Sequence, residues 1–190
     1  MHRRELLGLL GAVTALPFLP RGADAAVELG RRVHRALGDV PFRTLNADQQ
    51  ALVADIAEII IPETDTPGAR SVKVPEFIDL ILTEWAPDGE KARFLAGLAD
   101  IDSKAAALPG AVQQGQAPLF VHLPAARKTE LLTTLDAARE ERSGAGFAFG
   151  RLKSLTVYGY FTSQVVDQRV LKTQLYFDRY RGDVPFTPSV

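Results

Sequence analysis

The sequence predicts an all-α fold, a single-domain helical bundle with long loops and an extended C-terminal arm. Apolar residues recur at three- and four-residue spacing along several segments, which is typical of amphipathic helices. Few segments alternate with period two, and no strand–turn–helix unit recurs along the chain. With 190 residues, 46% of them hydrophobic, the chain is long enough to build one core, so we expect one domain.

The N-terminal residues 1–25 have the features of an export signal. The segment consists of the basic pair Arg3 and Arg4, an apolar run over 6–19, and the small-x-small cleavage site Ala23-Asp24-Ala25. The paired arginines resemble the twin-arginine signal, so we expect the chain to use the twin-arginine translocase and to reach the periplasm. The alternatives are an uncleaved anchor or an ordinary secretory signal. Residues 26–43 are expected to connect this signal to a helical domain over 44–190.

The first helix of that domain is predicted to start after Asn46. Gln49 lies three residues further on and completes a capping box with Asn46 as the N-cap. Pro62 is expected to stop the helix, because proline has no backbone N–H to donate. The apolar residues at helical spacing in between are Leu52, Val53, Ile56, Ile59 and Ile60.

Four more helices are predicted further along the chain. Pro75 suits the first turn of the second helix, Asp88 can cap the third, and the fourth begins near Pro124. The fifth is built on Leu152, Leu155 and Tyr158. Before it, the glycines at 144, 146 and 150 are interpreted as a helix C-cap and turn, because a dinucleotide-binding loop would require a preceding strand.

The composition excludes several kinds of function. The 22 basic residues nearly balance the 23 acidic ones, so no uniform positive field exists to bind nucleic acid. The absence of cysteine excludes disulfides, thiolate zinc sites, iron–sulfur clusters and covalent c-type haem. His34 and His122 are isolated, and Glu63 and Asp65 lack the further oxygen ligands of a calcium loop. No catalytic, cofactor-binding or metal-binding residue is predicted.

Two segments have compositions that suit an interface. The loop 62–68 concentrates proline, glycine and short polar residues, so it is expected to be ordered and turned. The stretch 158–162 carries three large aromatic rings, which cannot all point to one core face, so one ring is expected to face a partner. The alternative is a central helix that is buried on all sides.

Three motifs resemble the gluconate 2-dehydrogenase subunit 3 family. They are Ile-Ile-Pro-Glu-Thr-Asp-Thr-Pro-Gly-Ala at 60–69, Val-Pro-Glu-Phe-Ile-Asp at 74–79, and Leu-Lys-Ser-Leu-Thr-Val-Tyr-Gly-Tyr-Phe-Thr-Ser at 152–163. The motifs occur in the family's order and at suitable separation. The resemblance covers most of the chain that follows the signal.

The resemblance implies a non-catalytic small subunit of a sugar or sugar-acid dehydrogenase. The partner would be a large flavoprotein subunit of the glucose–methanol–choline type that holds FAD, often joined by a c-type cytochrome with haem c. Since the twin-arginine machinery moves folded proteins, this chain would also escort the large subunit across the membrane. The expected interface residues are Pro62, Glu63, Thr64, Asp65, Thr66, Pro67, Gly68, Tyr158, Tyr160, Phe161, Thr162, Val184 and Pro185. The rival interpretations are a stand-alone exported helical binding or chaperone module and a stand-alone periplasmic enzyme.

Overall fold

A computed structural model of the protein describes residues 22–38, 41–108 and 119–171. All regular structure in these ranges is helical and none of it is strand, which confirms the predicted all-α, single-domain fold. The principal helices are α1 (Ala23–Leu37), α2 (Ala47–Ile60), α3 (Val74–Glu84), α4 (Asp88–Ala106), α5 (Ala125–Ala137) and α6 (Gly144–Thr162). A 3₁₀ turn (Phe120–His122) precedes α5, and a short helix α7 (Gln164–Val166) continues into a π turn (Asp167–Leu171). Within these ranges, no helix combines the length and apolar character needed to cross a membrane.

Helix α2 begins as the sequence predicts. The Asn46 side chain accepts a hydrogen bond from the Gln49 N–H at 2.9 Å, and the Gln49 side chain accepts from the Asn46 N–H at 3.0 Å. This capping box satisfies two N–H groups that lack partners within the helix. The predicted end is also confirmed, since α2 stops at Ile60 and Ile61 caps it before Pro62. Pro75 lies in the first turn of α3, again as predicted.

Helix α1 spans the end of the predicted signal, 1–25, and most of the predicted connecting segment, 26–43. Its buried stripe, which the prediction missed, comprises Ala26, Leu29, Val33 and Leu37. The Tyr158 hydroxyl of α6 donates to the Ala26 carbonyl at 2.5 Å. His34 Nε2 donates to the Gly159 carbonyl at 2.7 Å, and the His34 ring stacks on Phe77 with centroids 4.8 Å apart. These contacts hold α1 against α6 and α3.

The glycine cluster at 144–150 lies inside α6, so its interpretation as a C-cap and turn is wrong. Gly144 is the first residue of the helix and has a positive φ of 80°. A Cβ on Gly146 would lie 2.4 Å from the Ala138 carbonyl oxygen, and one on Gly150 would lie 2.9 Å from the Arg139 carbonyl oxygen. The glycines therefore let α6 approach the backbone that leaves α5.

The start of α4 also differs in detail from the prediction. Asp88 is the first residue of the helix, while Pro87 occupies the N-cap position, and no side chain there makes a capping hydrogen bond. The Asp88 carboxylate pairs instead with Lys91 one turn later, at 3.6 Å. Its negative charge still lies in the first turn, where the helix dipole favours it.

Helix α6 is the centre of the bundle and contacts all five other principal helices. Tyr158 is fully buried and meets the Phe77 ring of α3 edge to face, with centroids 5.3 Å apart. A Cβ on Gly159 would lie 2.7 Å from Phe77 Cδ1, so this close approach requires glycine. The core thus forms around a helix that is apolar on several sides.

A buried carboxylate on α3 holds the turn that leads into α2. Asp79 is 3% exposed and accepts three backbone N–H groups, from Arg43 at 2.8 Å, Thr44 at 2.9 Å and Leu45 at 2.8 Å. Several donors to one ionised acceptor offset the cost of burying its charge. The turn is thereby fixed beside α3 without regular secondary structure.

Candidate partner interface around the 62–68 loop

The loop 62–68 connects α2 to α3 and lies largely at the surface. Four of its residues are exposed, Thr66 and Pro67 are half-buried, and Gly68 is buried. The exposed residues are Pro62, Glu63, Thr64 and Asp65. The loop therefore presents two carboxylates, a hydroxyl and a proline ring to solvent from a base that is packed against the bundle.

A single side chain of α2 fastens both ends of this loop. Glu58 Oε1 accepts the Glu63 N–H at 2.9 Å, and Glu58 Oε2 accepts the Arg70 N–H at 3.0 Å. A Cβ on Gly68 would lie 2.3 Å from Glu58 Oε1, so the carboxylate reaches the loop only because residue 68 is glycine. Glu58 was missed from the sequence, where it is one of several acidic residues on an amphipathic helix.

The aromatic stretch 158–162 of α6, called the aromatic block below, also holds the loop. The Tyr160 hydroxyl donates to the Pro67 carbonyl at 2.8 Å, although the two residues are 93 positions apart in the chain. The Ala69 N–H donates to the Ile61 carbonyl at 3.0 Å and closes the base of the loop. The structure thus brings together two segments that the sequence analysis selected separately.

Local hydrogen bonds order the tip of the loop. The Thr64 hydroxyl donates to Asp65 Oδ1 at 3.0 Å, and the Thr64 N–H donates to the Thr66 carbonyl at 3.0 Å. Within the described part of the chain, the Glu63 carboxylate has no cation or hydrogen-bond donor as a partner. The tip is therefore preorganised and acidic, and it carries a charge that an incoming cation can pair with.

An exposed apolar side chain lies beside the loop. Ile59, in the last turn of α2, is 37% exposed, although its spacing assigned it to the core face. It departs from that face because α2 buries a narrower stripe, made of Leu52, Val53, Ile56 and Ala57. Together with Pro62 it adds an apolar contact to the acidic tip.

Most of the aromatic block is not available to a partner in this conformation. Tyr158 is 0% exposed, Tyr160 is 4% exposed and Thr162 is 3% exposed. Phe161 is half-buried, with its ring edge to face against that of Tyr160. The burial favours the alternative interpretation, a central helix. Direct contact of Tyr158, Tyr160 and Thr162 with a partner stays a prediction.

A concave surface of about 700 Å³ lies at the other half of α6. Two of its basic groups are held by a carboxylate that is 6% exposed, because Glu90 pairs with Arg93 at 2.7 Å and with Arg151 at 2.8 Å. Both guanidinium groups also lie over the Phe147 ring, 5.3 Å and 5.1 Å from its centroid. This arrangement is an ion network that joins α4 to α6.

Two titratable side chains are perturbed by burial. Burial lowers the pKa of His34, although the hydrogen bond to the Gly159 carbonyl opposes the shift. Burial likewise raises the pKa of Asp102, against the effect of the Phe120 N–H that it accepts at 2.9 Å. Across residues 22–38, 41–108 and 119–171, no group of three or more histidine, aspartate or glutamate residues is placed to hold a metal ion.

Several sequence-predicted positions lie outside the described residues. Arg3 and Arg4 of the predicted export signal do so, as do Val184 and Pro185 of the predicted C-terminal arm. The proposed cleavage residues Ala23 and Ala25 belong to the first turn of α1. Ala26, the next residue, is the first of the buried stripe of α1.

Comparison with known proteins gives one finding. The family model described as gluconate 2-dehydrogenase subunit 3 matches residues 47–175, which include α2 to α7 and the 62–68 loop. No curated protein and no solved structure matches the chain.

Proposed function

Because the chain belongs to the gluconate 2-dehydrogenase subunit 3 family, we propose that it is the non-catalytic small subunit of a periplasmic FAD-dependent sugar or sugar-acid dehydrogenase. Its partner would be a large flavoprotein subunit of the glucose–methanol–choline type, which holds the FAD and oxidises the substrate. A c-type cytochrome with haem c would complete the electron path. The role of this chain is to bind and stabilise the large subunit and to escort it through the twin-arginine translocase.

The observation that carries this proposal is the preorganised 62–68 loop. Glu58 and Tyr160 are used to hold the loop, while Glu63 and Asp65 remain exposed at its tip. A loop that is already ordered loses little conformational entropy when it binds, so more of its contact energy contributes to affinity. The loop also lies inside the span that the family model matches.

Association with the large subunit would be non-covalent from this side, because the chain contains no cysteine. A stable complex then requires a standard-sized or larger interface, burying roughly 1,200 Å² or more in total. The loop is too small to provide that area alone. It would therefore be one part of a wider contact surface, with Ile59 and Pro62 as apolar contacts beside the acidic tip.

Export is proposed from the N-terminal segment. Arg3 and Arg4 would direct the folded pair to the translocase, and the large subunit would cross without a signal of its own. Residue 26 would follow the cleavage site and already belongs to α1, whose contacts with α6 begin there. Removal of residues 1–25 would therefore leave the buried stripe of α1 intact.

The test is co-expression of this chain with the flavoprotein encoded beside it. Dye-linked sugar oxidation is measured in periplasmic and cytoplasmic fractions, with the wild type and with an Arg3→Lys, Arg4→Lys variant. We expect the activity to move to the cytoplasm with the variant. Unchanged periplasmic activity would contradict the escort role.

A second arm tests the loop. Asp65→Arg combined with Ile59→Asp changes two exposed side chains and should reduce co-purification of the large subunit. The matched control is Asp100→Arg, an exposed carboxylate on α4. If wild-type chain fails to co-purify with any flavoprotein, a stand-alone binding or chaperone module becomes the better explanation.

A further inference from the structure

A second surface feature adjoins the loop, on the side where the chain enters α3. It is a groove of about 530 Å³ between α1, the turn before α3 and α7. Its walls include Arg31, Arg35, Leu37, Val72, Lys73 and Val165. Ser71, which also lines the groove, donates to the carbonyl of Gly68 at 2.9 Å, so the groove begins close to the end of the 62–68 loop.

Among the described residues, the groove carries one positive charge without a carboxylate partner. Arg31 pairs with Asp167 at 3.3 Å, and Arg35 pairs with Glu28 at 2.8 Å on the exposed rim. Lys73 Nζ donates to the Gly38 carbonyl at 3.0 Å but has no acidic partner within the described ranges. A carboxylate brought into the groove would therefore meet a cation that has no acidic partner among the described residues.

The backbone at Lys73 is unusual for a lysine. Its φ of 59° and ψ of 37° place it in the left-handed region, and it is the one non-glycine residue with positive φ in the ranges described. Glycine adopts this conformation freely, whereas a side chain with a Cβ adopts it at a cost. Residues in such strained backbone conformations cluster at functional sites, where the side chain has a role that offsets the cost in stability. The hydrogen bond to Gly38 is solvent-exposed and adds little to stability.

An exposed apolar side chain lies in the same groove. Val165 is 37% exposed, and in the described ranges the only other large hydrophobic side chain so exposed is Ile59, beside the loop. Val72 and Leu37, which are 4% and 6% exposed, contribute further apolar surface. The groove thus offers apolar contact next to an unpaired positive charge.

We propose that this groove receives a segment of the large subunit in which a carboxylate lies beside an apolar side chain. Lys73 pairs with the carboxylate, and Val165 packs against the apolar side chain. This inference rests on the proposed function and extends its interface. One wall of the groove is formed by α1, which precedes the family-matched span of 47–175.

The Lys73→Gly variant tests the contribution of Lys73 to binding separately from its effect on folding stability. The substitution removes the charge and relieves the left-handed strain, so the urea midpoint of the isolated chain should stay the same or rise. The affinity for the immobilised, FAD-loaded large subunit, measured by surface plasmon resonance, should fall about tenfold because a close interfacial charge pair is lost. Lys73→Arg should retain the affinity, and Lys104→Ala on the exposed end of α4 is the control. Val165→Asp should weaken binding by a similar factor.

Several outcomes would overturn the inference. One is a Lys73→Gly variant that binds the large subunit as tightly as the wild type does. A second is a wild-type homodimer that Val165→Asp dissociates, seen by light scattering, because the occupant would then be another copy of this chain. A third is unchanged affinity in Val165→Asp, which would mean that no side chain of the large subunit packs against Val165. If the wild type does not bind the large subunit at all, the proposed function falls and this inference falls with it.

Discussion

Replacing Asp79 with asparagine tests whether one buried charge holds the turn before α2. The carboxylate accepts three backbone N–H groups within 2.9 Å and is 3% exposed. Asparagine keeps one oxygen, which can still accept from Thr44 and Leu45. Its amide nitrogen would face the Arg43 N–H, so that two donors oppose each other.

The expected magnitude follows from these bonds. A hydrogen bond to a charged group contributes about 1.5–3 kcal/mol, and a buried donor left without an acceptor costs about 1–3 kcal/mol. One bond is lost and two lose their charge assistance, so the free energy of unfolding should fall by about 3 kcal/mol. For a chain of this size, that loss lowers Tm by about 6–12 °C.

The assay is urea unfolding followed by circular dichroism and by the fluorescence of Trp85, the only tryptophan. The matched control is Asp100→Asn, since Asp100 is exposed and its side chain accepts no backbone N–H in the described ranges. That control should shift the unfolding free energy by less than about 0.5 kcal/mol. If Asp79→Asn costs under about 1 kcal/mol with an unchanged m value, the charge does not hold the turn and the reasoning fails.

Three further predictions concern α6 and its neighbours. The Thr156 hydroxyl is fully buried and has no hydrogen-bond partner among the described residues, so Thr156→Val should raise the free energy of unfolding by about 1 kcal/mol. A lower urea midpoint would contradict this. Gly159→Ala should lower the free energy of unfolding by about 2 kcal/mol, because the new Cβ would clash with the Phe77 ring. The control Gly89→Ala should not lower it, because a Cβ there would have no neighbour within 4 Å. Burial lowers the pKa of His34, so the folded protein favours the neutral ring. The resulting stability is complete at pH values above the ordinary pKa of about 6.5, and it is lost as the pH falls towards the lowered pKa. Urea midpoints at falling pH should show this loss, and a slope unchanged in His34→Gln would refute it.

The elements predicted correctly are those whose signals are local. The capping box of Asn46 and Gln49 and the proline in the first turn of α3 depend on neighbours within one helical turn. The fold class could also be predicted from local signals, because apolar residues recur at helical spacing along the whole chain. These features need no knowledge of what packs against them.

The features that were missed depend on contacts between distant segments. Helix α1 begins within residues 1–25, which the sequence predicts to be an export signal, and it carries several arginines. Both features obscured its buried stripe. The glycines of α6 are explained only by the backbone that leaves α5, and Glu58 only by the loop it fastens. The same holds for Tyr160, whose hydroxyl reaches Pro67 from 93 positions away.

The contacts of α1 also determine where the protein can be trimmed for expression. A fragment that starts at the family boundary, residue 47, would lack the carbonyl that the Tyr158 hydroxyl uses and the ring that covers Phe77. The aromatic rings of Tyr158 and Phe77 would then be exposed to water, and such apolar surface promotes aggregation. A soluble recombinant form should therefore begin no later than Ala26, because the buried stripe of α1 that covers these rings starts there.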